Sequence, residues 1–267
     1  MSKTILITND DGIQAEGIQV LSQKMHETFG ETINLVIIAP DHEQSAVGHA
    51  ITMHRPLRVE TVKFLHNKDL NGWTVNGTPA DCVKLAVEAL LPQKPELVVS
   101  GINRGSNLGT DVIYSGTVSA ALEGVILEIP SIAVSLTEVG EIGFELAADF
   151  TCYFVSYVLN NGLEPEHLLN INVPPVNRGQ LNGVRITKLG DRRYRNTFQK
   201  RTDPRGKNYY WLAGDVVETQ KDTSFDVGAI KNNCISITPI QFDLTCYELF
   251  ESLQETAHKL ESSFLEY

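Results

Sequence analysis

Positive charge is scarce in this chain: Lys and Arg together number 22 against 33 Asp and Glu, a formal charge of −11 over 267 residues. So acidic a surface repels a phosphodiester polymer, whose binding rests on many Lys and Arg contacts to phosphates. A small anionic ligand is not excluded, because one bound cation and a few backbone amides reverse the field locally. Cysteines are few and scattered (Cys82, Cys152, Cys234 and Cys246), with no CxxC pair. A zinc cluster or redox dithiol is therefore not expected, and free thiols are. No apolar run approaches the length of a membrane span. The start, MSKTILITND, enters a strand without a basic–apolar–small leader pattern, so a cytoplasmic location is expected.

Short apolar runs rich in β-branched residues alternate with helical patterns. Thr4–Thr8, Ile33–Ala39, Trp73–Asn76, Glu96–Ser100, Ser131–Ser135 and Leu168–Val173 read as strands. Gly12–Phe29, Thr78–Leu91, Thr117–Glu128 and Gly143–Asn160 read as helices. The Thr78-Pro79-Ala80-Asp81 start carries an N-cap Thr, a Pro at the first helical position and an acid in the first turn. This alternation predicts a Rossmann-like three-layer α/β/α core with a mostly parallel sheet over residues 1–178. Residues 179–245 show strand-like runs (Val184–Lys188, Tyr209–Leu212, Ile235–Pro239) and no clear helix, and Leu244–Phe264 reads as an amphipathic helix. We expect a β-hairpin arm and C-terminal helix over 179–267, attached to the same domain and serving oligomerisation.

Four segments carry the chemistry. Asn9-Asp10-Asp11-Gly12 follows the first strand, at the carboxyl edge where open parallel sheets bind ligands. Adjacent carboxylates repel unless a cation or proton intervenes, and oxygen donors suit Mg²⁺ or Mn²⁺; a turn with a helix-capping aspartate gives the same residues. After the second strand, Pro40-Asp41-His42-Glu43-Gln44-Ser45 offers a hydroxyl that can complete a metal shell, or ordinary turn chemistry. His49 and His54 follow as candidate proton donors. Ser100–Gly109 (SGINRGSNLG) lacks both the GxGxxG fingerprint and a GK[ST] ending. Its Asn103 offers a neutral oxygen to a cation and Asn107 offers amide contacts to a substrate. Finally, Tyr114-Ser115-Gly116-Thr117 opens a helix, whose free amides and dipole attract anions; capping by Ser115 is compatible with that role.

Taken together, ILITNDDGI, APDHEQSAVGHAITMHRPL, NGTPADCVKLA, SGINRGSNLGTDVIYSGTVSAA, RTDPRGKNYYWLAGD and SITPIQFDLT resemble motifs of the SurE family in order and spacing. The resemblance implies a metal-dependent 5′-nucleotidase acting on nucleoside monophosphates, with 3′-nucleotides and short polyphosphate as further substrates. It implies one divalent cation per subunit, Mg²⁺ or Mn²⁺, held by Asp10, Asp11, Ser45 and Asn103. It also implies a homodimer or homotetramer in which the C-terminal arm reaches a neighbour. Asn233-Cys234, where the family usually shows a Gly-Tyr-type lead, departs from the pattern in the arm.

From these residues we expect Asn107, Ser115, Gly116 and Thr117 to grip the phosphate. Asn9 is expected to orient a water, with Asp10 or Asp11 as its base. No nucleic-acid polymer or membrane is expected as a partner. A response-regulator receiver would need a phosphoryl-accepting Asp and a late-strand Lys that have no counterparts. A haloacid-dehalogenase-type hydrolase would need Asp-x-Asp, which Asn9-Asp10-Asp11 does not supply. Arg185–Lys207 holds nine basic residues against Asp191 and Asp203, which suits a solvated arm facing an acidic neighbour, or recruitment of longer phosphate chains.

Overall fold

The structure, a computed structural model, describes residues 3–64, 70–138, 143–195, 197–218 and 220–265. A nine-stranded sheet runs in the order β3-β4-β2-β1-β5-β6-β7-β13-β8. Its centre is parallel: β1 (Lys3–Thr8) lies between β2 (Ile33–Pro40) and β5 (Leu97–Arg104), followed by β6 (Ser131–Leu136) and β7 (Leu168–Val173). β4 (Asn71–Val75) extends the parallel set, and β3 (Val59–Lys63) closes that side antiparallel. At the other side β13 (Ile235–Ile240) runs antiparallel to β7, with β8 (Val184–Ile186) beside it. The expected α/β architecture is the observed one, and strands from beyond residue 178 complete its sheet.

One face of the sheet packs Ile5, Ile7, Val99, Val134 and Ile171 against α1 (Glu16–Phe29) and α4 (Glu145–Asn161), through Ile18, Leu21, Met25, Ala148 and Val155. The opposite face packs Leu6, Ile38 and Val98 against α2 (Pro79–Leu85) and α3 (Gly116–Ile126). These strands are apolar on both sides because both are covered, which is why they read as unbroken runs.

Several boundaries differ from the sequence reading. α1 starts at Glu16, not Gly12: Gly12 has φ 96°, outside the helical region, and the Ile13 amide bonds the Pro40 carbonyl at 2.9 Å. α2 gives way at Ala86 to a π turn over Ala86–Leu90. β5 continues past Ser100 to Arg104 with a register shift between Ser100 and Asn103, so half of the expected Gly-rich loop is strand. Within 179–245 the structure adds the short α5 (Asp226–Lys231), where no helix was expected. Two hairpin pairs leave the sheet: β9 (Arg192–Arg195) with β12 (Asp215–Glu218), and β10 (Phe198–Thr202) with β11 (Asn208–Leu212). α6 (Tyr247–Leu265) ends the described chain. No helix among the described residues is long and apolar enough to cross a membrane.

Candidate active site

Chain order reverses between β1 and β5: β1 is followed by β2 on one side and, after the crossover, β5 lies on its other side. Such a switch point opens a crevice at the carboxyl ends of the strands. Asp10 and Asp11 sit there. The loop after β2 is tied to them through the Gln44 amide, which donates to the Asp10 carbonyl at 2.7 Å. The end of β5 is tied through the Arg104 amide, which donates to Asp11 Oδ2 at 3.0 Å.

Asp10 is buried at the start of α3. The Thr117 hydroxyl donates to Asp10 Oδ1 at 2.5 Å, and the Thr117 amide also serves this carboxylate. Gly116 lies so close that a Cβ there would stand 2.7 Å from Asp10 Cβ and 2.9 Å from Oδ2. The helix end expected to attract a phosphate thus already receives a protein carboxylate, the same electrostatic preference satisfied from within. Burial pushes the Asp10 carboxyl up to about 6, opposed by the Thr117 hydroxyl and assisted by the neighbouring Asp11. Burial raises Asp11 too; the Arg104 amide opposes this and the Glu43 carboxylate adds to it.

Asn9 is fully buried. Its Nδ2 donates to the Gly12 carbonyl at 2.9 Å, while its Oδ1 has no donor among the described residues. Asn103 directs Nδ2 to the Gly105 carbonyl at 2.9 Å, leaving its oxygen as the acceptor end. Ser45 is exposed and donates to Glu43 Oε1 at 2.6 Å; among the described residues no hydrogen bond joins it to Asp10 or Asp11. Asn107 is buried, and one Nδ2 hydrogen goes to Ser135 Oγ at 2.8 Å. Its amide donates to Asn172 Oδ1, and its carbonyl accepts from Asn170 and Asn172, so Asn107 pins the loop to β6 and β7. Ser115 caps α3 by accepting from the Val118 amide at 3.1 Å. The structure therefore brings Asp10 against Gly116 and Thr117, with Asn9 and Asp11 beside it in the chain; the Ser45 loop is tied through Gln44 to the Asp10 backbone carbonyl, and the end of β5 that bears Asn103 is tied through Arg104 to the Asp11 carboxylate.

Two neighbouring carboxylates, both raised by burial, form a site short of positive charge, which a hard divalent cation would supply. Among the described residues no group of three or more His, Cys, Asp or Glu is placed to hold a metal. A cation at the Asp pair would therefore draw on the neutral oxygens of Ser45 and Asn103 as well. On donor chemistry the four residues fit Mg²⁺ or Mn²⁺.

Glu43, Arg104 and the Asn107 anchors Ser135, Asn170 and Asn172 escaped the sequence reading. Glu43, inside the segment before Ser45, and Arg104, inside the Gly-rich segment, carried a local signal. His49 Nε2 lies 2.7 Å from Glu123 Oε2 on α3. A cleft of about 360 Å³ lined by Gln19, Lys24, Phe64, Leu70 and Glu145 shares no residue with the strand-end cluster.

The profile of the family described as survival protein SurE matches residues 5–196. The 5′-nucleotidase SurE of Natranaerobius thermophilus is 53% identical over 252 residues, covering 93% of this chain and 96% of that protein. That of Heliobacterium modesticaldum is 51% identical, covering 94% of this chain and 90% of that protein. The crystal structure of the SurE protein from Aquifex aeolicus superposes with a TM-score of 0.79 at 38% identity, covering 95% of this chain and 99% of that one. With the acidic pair, the Gly-rich segment and α3 all inside the matched span, this chain belongs to the SurE family.

Proposed function

We propose that this protein is a divalent-metal-dependent phosphomonoesterase that hydrolyses nucleoside 5′-monophosphates to nucleoside and phosphate. The observation that carries the reading is the Asp10–Asp11 pair at the β1/β5 switch point, set against the first turn of α3. The two relatives are 5′-nucleotidases, which supports the substrate class.

Asp10, Asp11, Ser45 and Asn103 would hold one Mg²⁺ or Mn²⁺ per subunit. When bound, the ion supplies Lewis acidity toward the phosphoryl oxygens. The chain does the rest by positioning, since phosphoryl transfer asks little covalent chemistry of the protein. Gly116 and Thr117 set the positive end of α3 beside the phosphoryl group while Thr117 holds Asp10, Ser115 shapes that turn, and Asn107 keeps the approach loop in place. Asn9 Oδ1, a buried acceptor without a donor among the described residues, suits a hydrogen bond from the attacking water. Asp10 or Asp11 takes the water's proton as its oxygen bonds phosphorus. The bond from phosphorus to the nucleoside 5′-oxygen breaks, and that oxygen takes up the proton passed on from the same carboxyl group, which returns to carboxylate.

A site that grips the phosphoryl group and not the leaving group also accepts 3′-monophosphates and short polyphosphate. Within the 179–267 segment β8 and β13 complete the sheet, and the hairpins serve assembly into a homodimer or homotetramer, a role supported by the exposed Phe198, Tyr210, Trp211 and Leu212. Phosphate release from a panel of 5′- and 3′-monophosphates with Mg²⁺, Mn²⁺ or EDTA tests the assignment. Release from 5′-nucleotides with metal and none with EDTA is expected. No release from any 5′-nucleotide with either metal would end the reading.

A further inference from the structure

Arg192 lies at the root of the arm, on β9, yet its side chain is only 14% exposed. Its Nη1 donates to Ser106 Oγ at 2.6 Å and stands 3.0 Å from Asp111 Oδ2. Its Nε lies 3.2 Å from Glu218 Oε1 on β12, an ion pair without a directed hydrogen bond. Tyr194, on the same strand, donates its hydroxyl to Asp111 Oδ2 at 2.8 Å. The Arg192 carbonyl accepts from the Thr110 hydroxyl. Nearby, buried Asp226 accepts from the amides of Gly109 at 2.8 Å and Gly190 at 2.7 Å, bridging the same two segments from below.

Ser106 and Asp111 belong to the loop that delivers the chain from β5 to α3. The Asp111 carbonyl accepts from the amides of Tyr114 and Ser115 at 3.0 and 3.1 Å, and Ser115 is the cap of α3. Orientation therefore passes from the Arg192 guanidinium to Asp111, from Asp111 to Ser115, and on to the amides of Gly116 and Thr117. Arginine suits this position because one planar fork reaches a hydroxyl and two carboxylates at once, which an ammonium group cannot do in the same geometry.

We propose that Arg192 is a positioning residue for the phosphate-gripping end of α3, holding the 106–111 loop against the root of the arm. The inference rests on the reading of that helix end as the substrate-phosphate site. Loosening it weakens binding of the phosphoryl group in ground state and transition state alike, which raises KM and leaves kcat nearly unchanged.

The test compares Arg192→Ala, Arg192→Lys and the control Arg193→Ala in the full chain with Mn²⁺. Arg193 is exposed, and among the described residues its ion pair is local, with Asp191. Steady-state kinetics are measured on a nucleoside 5′-monophosphate, and hydrogen exchange on residues 106–116. Arg192→Ala is expected to raise KM roughly tenfold and to speed exchange in that segment, and millimolar guanidinium is expected to reverse both. Arg192→Lys, which keeps the charge and folds if the alanine variant does not, is expected to fall between. Unchanged exchange, unchanged KM in an active enzyme, or no rescue by guanidinium overturns the inference. A wild-type protein that releases no phosphate from nucleotides overturns the proposed function instead, and exchange alone then decides whether Arg192 holds the loop.

Discussion

Thr117 Oγ1 donates to Asp10 Oδ1 across 2.5 Å, joining the first turn of α3 to the end of β1 over 107 residues of sequence. With the Thr117 amide on the same carboxylate, this contact fixes which oxygen of Asp10 turns toward the helix. Replacing Thr117 by Val keeps the β-branched shape and removes only the hydroxyl. A charge-assisted hydrogen bond to a buried carboxylate is lost, about 1.5–3 kcal/mol. Phosphate release at saturating metal is expected to drop roughly ten- to hundredfold, with the circular dichroism spectrum unchanged. Full kcat/KM in the variant would show that this bond does not organise the site.

Asp11 differs from Asp10 in being only partly buried, with the Arg104 amide on one of its oxygens. Asp11→Asn keeps size and shape and halves the charge of the pair. A ligand that binds only the folded state at roughly a hundredfold excess over its Kd stabilises it by about 2.7 kcal/mol. Mn²⁺ is therefore expected to raise the melting temperature of the wild type, EDTA to reverse the rise, and Asp11→Asn to abolish it together with activity. An equal Mn²⁺ shift in the variant would remove Asp11 from the ligand set.

Gly116 is constrained by its neighbour and not by its own dihedral angles. An added methyl would sit 2.7 Å from Asp10 Cβ, so either the helix start or the carboxylate must shift. Alanine has the better helix propensity, yet Gly116→Ala is expected to cost about 1–3 kcal/mol of stability through overpacking. It should also abolish most activity. Urea denaturation beside an activity assay separates the two effects, and an active, more stable variant would contradict the packing described.

Glu123, on α3 and nearly buried, meets His49 Nε2 at 2.7 Å and Lys84 Nζ at 3.3 Å. Burial pushes its carboxyl up, but His49 and Lys84 together outweigh burial and hold it below the usual 4.5. Its folded pKa is thus depressed, so its contribution is fully present above the unfolded value and vanishes as pH falls through the folded one. Glu123→Gln is expected to destabilise the protein by about 1–2 kcal/mol at pH 7, discounted because Lys84 is well exposed. The difference should shrink as pH falls below the usual glutamate value of 4.5. Chemical denaturation of both proteins across that range checks it, and a pH-independent gap would mean packing and not charge is responsible.

Much of the fold was legible because doubly covered strands must be apolar on both faces: TILIT and INLVIIA could be placed by eye. The start of α2 was legible for a local reason, its Thr78–Asp81 capping box lying within four residues. β3, VETVK, escaped because an edge strand with exposed Glu and Lys shows little apolar alternation. α5 escaped because six residues cannot display a helical period. The delayed start of α1 depends on Ile13 bonding Pro40, a partner contributed by another strand.

The sequence by itself determined the alternation of strand and helix, the family, and the candidate donors, because apolar periodicity, caps and motif spacing are written in neighbouring residues. Only the tertiary structure decided how those donors are used: Thr117 and Ser115 turned to Asp10 and the helix cap, Asn107 to Ser135, and Arg192 to a loop 81 positions earlier in the chain. Partners so distant in sequence are brought together by the order of strands in the sheet, a property of the packed whole that no local pattern encodes.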